Sequence, residues 1–234
     1  MVEAINGLTG EVLLVSRDQT GRSVARSARL AVGGSRLAHL HVPCRATQWA
    51  VVLGMLVRLS DAAMGGSRAV AEGLLFKMRT QLVLSSVAAL DRPSPSLGQH
   101  VASYWPPATF LVDLSAGTVA PFRRTLDVMH HGIVLARSSK AVVPAELVQR
   151  LPATRMEIRV PESEWNARRW LEVTSMDVSP DDVTSHVLHS GRWVRCDACG
   201  RPGLSSRCLF CEVELPGVPA TAAVPATSSQ GVVR

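Results

Sequence analysis

The sequence predicts a mixed α+β protein, with small sheets around a buried helix, a C-terminal four-cysteine segment and a disordered tail. Three observations lead there. Short β-rich runs alternate with turn signals over residues 11–42 and again over 109–160. An almost uninterrupted apolar stretch, 46–64, carries helical spacing. Near the end stand two CxxC pairs, Cys196/Cys199 and Cys208/Cys211.

Taken in order, residues 11–15, 24–32 and 37–42 read as strands, separated by Thr20-Gly21-Arg22 and Gly33-Gly34-Ser35. In the second of them Val24, Arg26, Ala28, Leu30 and Val32 alternate with Ala25, Ser27, Arg29 and Ala31. Residues 46–64 read as a helix covered on several sides. Past Gly65-Gly66, residues 67–90 read as a second helix, with Ala71, Leu74, Leu75, Met78 and Leu82 on one stripe. Gly73 inside it costs about 1 kcal/mol against alanine, so packing must compensate.

Residues 91–107, rich in proline, read as an irregular crossing and a candidate internal boundary. Strands are expected at 109–114, 118–122, 128–137 and 156–160, and helices at 144–151 and 161–172. Ser179-Pro180-Asp181-Asp182 is a helix start, with a serine cap, proline at the first helical position and two acids in the first turn. That helix runs to about His189 and delivers the chain into the cysteines. The expected organisation is therefore a body over 1–190, a cysteine module over 191–215 and a low-complexity tail over 216–234.

The 234 residues, 47% hydrophobic, carry a net charge of +6 and a pI near 9.6. That balance favours an acidic partner. The basic residues are almost all arginine, as a GC-rich coding sequence would also produce. Five cysteines, four of them in one cluster, point to a reducing intracellular compartment, cytoplasm or nucleus, with a virion as the alternative. The run 12–15 is too short for a secretion signal. The longest apolar run, Trp49 to Val57, is about half a membrane span, so no membrane insertion is expected.

Two CxxC turns supply four thiolates, the set that closes a tetrahedron around one structural zinc ion; two disulfides or a redox pair are the alternatives. The segment 193–214 resembles the zinc-ribbon class, on Cys196-Asp-Ala-Cys199-Gly200 and Cys208-Leu-Phe-Cys211. Glu212 stands where the second turn of that class has glycine, and the eight-residue spacer is short. The resemblance implies one closed zinc site and no substrate. Around it Arg192, Arg195, Arg201 and Arg207 face only Asp197, although zinc with four thiolates carries a formal charge of minus two that offsets this rim.

Other constellations are weaker. His39 and His41 share a face of an expected strand, with Cys44 beyond them, as metal ligands or a nucleophile and its base would require, yet a third partner is missing from the sequence. His130-His131 fall on opposite faces. His186 and His189 lie three apart on a helix, where ordinary surface histidines are the simpler reading. Arg123-Arg124 and Arg168-Arg169-Trp170 combine charge with a ring, as a single-strand binder might, but solvated arginines and a core tryptophan account for them equally. Phosphate-loop, serine-elbow and HExxH motifs are missing.

The function expected from these residues is non-enzymatic contact with nucleic acid, RNA or DNA. It would be made through Arg192, Arg195, Arg201, Arg207, Arg22, Arg26 and Arg29, in a ribonucleoprotein or a viral replication or packaging assembly. The alternative is a structural or assembly protein, meeting a protein partner or a second copy, in which zinc only stabilises the fold. An enzyme using His39, His41 and Cys44 is the third reading.

Overall fold

The computed structural model describes residues 10–32, 36–105, 108–123, 125–140, 151 and 155–216. Its elements mix α and β as expected. The strands are β1 (Val12–Ser16), β2 (Leu37–His41), β3 (Met78–Leu84), β4 (Phe110–Asp113), β5 (Thr118–Pro121), β6 (His131–Arg137), β7 (Met156–Ile158), β8 (Trp170–Met176), β9 (Val194–Arg195) and β10 (Pro202–Gly203). The helices are α1 (Gln19–Val32), α2 (Ala46–Leu56), α3 (Ser67–Lys77), α4 (Leu97–Ala102) and α5 (Pro180–Ser190), with 3-10 turns at Asp61–Gly66 and Glu162–Glu164. The expected helix at 144–151 and the tail beyond residue 216 lie outside the described residues, apart from the buried Leu151.

The chain divides into two compact units with interleaved segments. The first takes residues 1–44, 52–76 and 181–234, and the second 45–51 and 77–180.

In the first unit β1 and β2 pair in parallel, with Val12 opposite Leu37 and Ser16 opposite His41. A parallel pair needs a crossover, and α1 provides it. Residues 24–32, expected as a strand, therefore belong to a helix. Its buried residues are Ala25 and Ala28, three apart, while Leu30 is 85% exposed. The helix starts where Asp18 Oδ1 accepts from the Gly21 N–H at 2.7 Å. The expected helix 46–64 ends at Leu56 and gives way to the 3-10 turn. Gly65 of that turn lies flush on the backbone of β10, and a Cβ there would collide with the Pro202 carbonyl. Gly73 of α3 is explained in the same way, since a Cβ would stand 2.9 Å from Val187 Cγ2 of α5.

The second unit is built on a six-stranded sheet in the order β5-β4-β3-β8-β6-β7, antiparallel except for β6 with β7. Two of its strands were expected as helix. The helical stripe of α3 runs on to Leu82 in sequence, but the chain turns to β at Met78, where it pairs with β8 from Met78↔Met176 to Leu84↔Trp170. Residues 161–172 give only one 3-10 turn before β8 begins. Every residue of β8 is buried, Glu172 and Thr174 included, so its alternation of apolar and polar residues does not separate core from solvent. On one face Leu82, Leu84, Phe110, Val112, Trp165 and Trp170 pack together. On the other lie Leu126, Ile133, Leu135, Leu151, Leu171 and Val173.

Within the first of these faces sits a fully buried carboxyl, Glu172. Its Oε1 accepts from the Thr47 N–H at 3.1 Å and pairs with the Thr47 hydroxyl, and its Oε2 accepts from Trp165 Nε1 at 2.8 Å. Thr47 Oγ1 is 2.7 Å from Thr174 Oγ1, which is 2.7 Å from Thr80 Oγ1. The Arg45 guanidinium lies 4.2 Å over the Trp165 ring. Burial raises the Glu172 pKa more than its hydrogen bonds and Arg45 lower it. Thr47 Oγ1 donates to the carboxyl and so joins it to the chain of hydroxyls.

Two outcomes follow from this packing. Because the folded pKa lies above the ordinary 4.5, the contribution of Glu172 is complete below that pH and is lost as pH rises through the folded value. Urea denaturation from pH 5 to 8 should show a fall in stability that is missing in Glu172→Gln; equal slopes for the two proteins would contradict a raised Glu172 pKa. Gly65→Ala should destabilise by about 1–3 kcal/mol in the same assay, because the colliding atom is backbone.

Candidate metal centre and polar clusters

The two CxxC turns are superposable in their bonding. Gly200 N–H donates to the Cys196 carbonyl (2.7 Å) and Cys196 N–H to the Arg201 carbonyl (2.9 Å); Glu212 N–H donates to the Cys208 carbonyl (3.0 Å) and Cys208 N–H to the Val213 carbonyl (2.8 Å). Each turn closes through a left-handed residue, Gly200 at φ 71° and Glu212 at φ 63°. The second turn thus keeps its shape without glycine. A non-glycine residue there costs about 1–2 kcal/mol, and the Glu212 carboxylate is held by Arg29 Nη1 at 2.6 Å.

The turns bring four sulfurs together, all within 4.8 Å of one another. Cys196 to Cys211 is 3.3 Å, Cys199 to Cys208 3.6 Å and Cys199 to Cys211 3.9 Å. A disulfide bond would need about 2.05 Å. A tetrahedron with metal–sulfur bonds near 2.3 Å has edges of about 3.8 Å, so the donor set fits one ion. Burial raises the Cys196, Cys208 and Cys211 thiols, but the backbone N–H groups of Cys199 and Ala198 and the Cys211 thiol bring Cys196 down to about 7. Cys211 is pushed up to about 12 by burial first and then by the neighbouring thiols. A cation bound by all four sulfurs would displace the thiol protons.

Several of the arginines around this site are engaged. Arg201 pairs with Glu11 at 2.5 Å and lies 4.5 Å over the Phe210 ring. Arg29 holds Glu212, and Arg207 stands 3.8 Å from Glu214. Arg195 Nη1 donates to the Gly200 carbonyl at 3.3 Å. Arg192 and Arg26 are exposed and Arg22 is half-buried. The rim is an internal ion-pair network more than an open basic face.

The two histidines do converge, and the residue that joins them is Ser16. Its Oγ is 3.0 Å from His39 Nε2 and 3.1 Å from His41 Nδ1. Ser16 and His39 are buried and His41 half-buried. The signal for Ser16 lay in the parallel register that sets it opposite His41, which composition and spacing do not reveal. His39 is lowered by burial, then by His41, Arg22 and Arg29, against Glu212; His41 is lowered by burial and Arg22, against the Ser16 backbone and Asp18.

The remaining candidates have ordinary roles. His186 and His189 are exposed on α5, and His189 Nδ1 lies 2.7 Å from the Ser185 carbonyl. His130 and His131 are exposed at the start of β6. Trp170 is a core residue that donates to the Glu162 carbonyl at 3.1 Å, while Arg168 and Arg169 are exposed. Arg124 lies outside the described residues. Among those residues the four cysteines form the one cluster of three or more metal-ligating groups. Sequence reasoning missed a cavity of about 430 Å³ on the second unit's sheet, lined by Arg79, Gln81, Leu111, Asp113, Leu126 and Asp127. Arg79 bridges Asp113, at 2.7 Å, and Asp127 across its floor. Burial works against the Asp113 carboxylate, but the Ala116 N–H, Arg79 and Gln81 hold it below its ordinary pKa. No helix among the described residues is long and apolar enough to cross a membrane.

A thiol count checks the metal centre. With metal bound, Ellman's reagent should titrate about one cysteine, Cys44, and after chelation under denaturing conditions all five. Cys208→Ser should abolish retention of the ion through gel filtration.

No protein-family model and no curated protein matches the chain. Among solved structures, the fold is similar to that of a DegV family protein from Eubacterium eligens loaded with heptadecanoic acid, at TM-score 0.51 and 12% identity over 76% of each chain. A DegV family protein from Corynebacterium glutamicum matches at TM-score 0.44 and 13% identity, over 75% of this chain and 78% of that one. The first likeness overturns the expectation of a nucleic-acid-binding, viral or structural assembly protein. The body has the fold of a protein that holds a fatty acid, and several of the arginines meant for phosphate are paired with carboxylates of the chain itself.

Proposed function

We propose that this chain is an acyl-chain-binding protein whose C-terminal segment is fastened by one structural zinc ion. The observation that carries the reading is the fold likeness to a DegV family protein loaded with heptadecanoic acid. A composition that is 47% hydrophobic but only 4% aromatic is compatible with walls that accept a flexible aliphatic chain.

Zinc is the ion that best suits the cysteines. Four thiolates in tetrahedral reach are a set that zinc and iron both accept, and zinc adds no redox chemistry to a protein whose task is to hold a ligand. With four sulfurs bound it keeps no open position, so its part is to hold the two turns together. Reduced thiols in that number fit a reducing compartment.

The test is direct. Purified protein should carry about one zinc per chain by elemental analysis and should release long-chain fatty acids on organic extraction, detected by mass spectrometry. Delipidated protein should rebind heptadecanoic acid in calorimetry. Absence of both extracted and rebound fatty acid would refute the acyl reading whatever the zinc content.

A further inference from the structure

The metal centre gives no task to Ser16, His39 and His41. They stand at the carboxyl end of the parallel pair β1–β2, the edge where open α/β sheets receive their ligands. Ser16 Oγ has two lone pairs and one proton, so it can accept from both ring N–H groups or accept from one while donating to the other. Either way Ser16 engages His41 at Nδ1, and Nε2 lies on the opposite side of the half-buried ring.

The charges that face the cluster are unbalanced. Both rings are held below their ordinary pKa and are neutral at pH 7, burial being the chief cause. Four charged groups act on them: Arg22, Arg29, Glu212 and Asp18. Glu212 is engaged by Arg29 at 2.6 Å, and Asp18 accepts from the Gly21 N–H at 2.7 Å. Arg22 is half-buried, and among the described residues no carboxylate lies within ion-pair distance of it. Arg22 follows Gly21 in the first turn of α1, and a Cβ on Gly21 would stand 3.4 Å from Ser16 Cβ, so the cation starts beside the cluster and is the complement of an anion.

We infer that this cluster receives the carboxylate of the acyl ligand, with Arg22 as counter-charge and His41 as hydrogen-bond donor. The inference rests on the acyl-binding reading and adds the headgroup position to it. Ser16 is then a positioning residue, which fixes the orientation of His41 through its Nδ1 while the outer nitrogen meets the ligand. Bound carboxylate replaces water at the rim and favours the protonated imidazole, so ligand binding raises the pKa of His41.

The experiment compares heptadecanoic acid with methyl heptadecanoate, titrated into the full zinc-loaded chain at pH 7 as wild type, Arg22→Gln and His41→Ala. Wild type should bind the acid about tenfold or more tightly than the ester, the size of a charge-assisted hydrogen bond. Arg22→Gln should weaken the acid by a similar factor and leave the ester within about twofold. Histidine-ring NMR should show the pKa of His41 rising with the acid and unmoved by the ester, a change that a purely structural role would not produce. Arg22 lies on the rim, so its variant keeps the test decisive where His41→Ala disturbs β2. Equal affinity for acid and ester in wild type and Arg22→Gln would overturn the headgroup assignment and leave acyl binding standing. Binding of neither compound would overturn both.

Discussion

Four thiolates within a few ångströms of one another repel strongly unless a cation stands among them, and the first unit is arranged around that neutralisation. The two turns that carry the sulfurs are polar inside and make their remaining contacts outward. Arg201 reaches Glu11 beside β1, Glu212 reaches Arg29 on α1, and Pro202 lies on Gly65. Leu204, Leu209, Phe210 and Leu215 are buried around them. A segment of this length cannot build a core of its own, so an ion held by the four sulfurs would do what a larger apolar cluster otherwise does.

The second unit solves a different problem. A sheet apolar on both faces buries its central strand completely, and β8 nonetheless places a glutamate there. The carboxyl stays because it is saturated and burial favours its neutral form: Thr47 and Trp165 satisfy its oxygens, and Thr174 and Thr80 continue the chain of hydroxyls. Such a network fixes where α2 starts relative to β8, since a slip of one residue would strand polar groups in hydrocarbon.

What the sequence disclosed was chemistry with local spacing. The cysteines declare themselves because each turn is closed within a few residues, and the start of α5 because its cap and first-turn acids are adjacent. The misread elements depend on distant partners. Residues 24–32 alternate like a strand, and only the parallel pairing of β1 with β2 requires a helix between them. Met78 to Leu84 continues a helical stripe until β8 and β4 claim it. The pair His39 and His41 was visible, but Ser16 meets them across 23 and 25 residues of chain. The DegV-like fold left no local trace at 12% identity.

The interleaving of the two units has a consequence for synthesis. Every segment of the second unit has been made by residue 180, whereas the first still lacks α5 and the cysteines. On the ribosome the six-stranded sheet can close while β1, α1 and β2 wait, their apolar faces dependent on chain not yet translated. Completion of the first unit therefore waits for the emergence of Cys211, and an ion bound by the four cysteines would make metal supply at that moment a gate on how much of the protein escapes degradation.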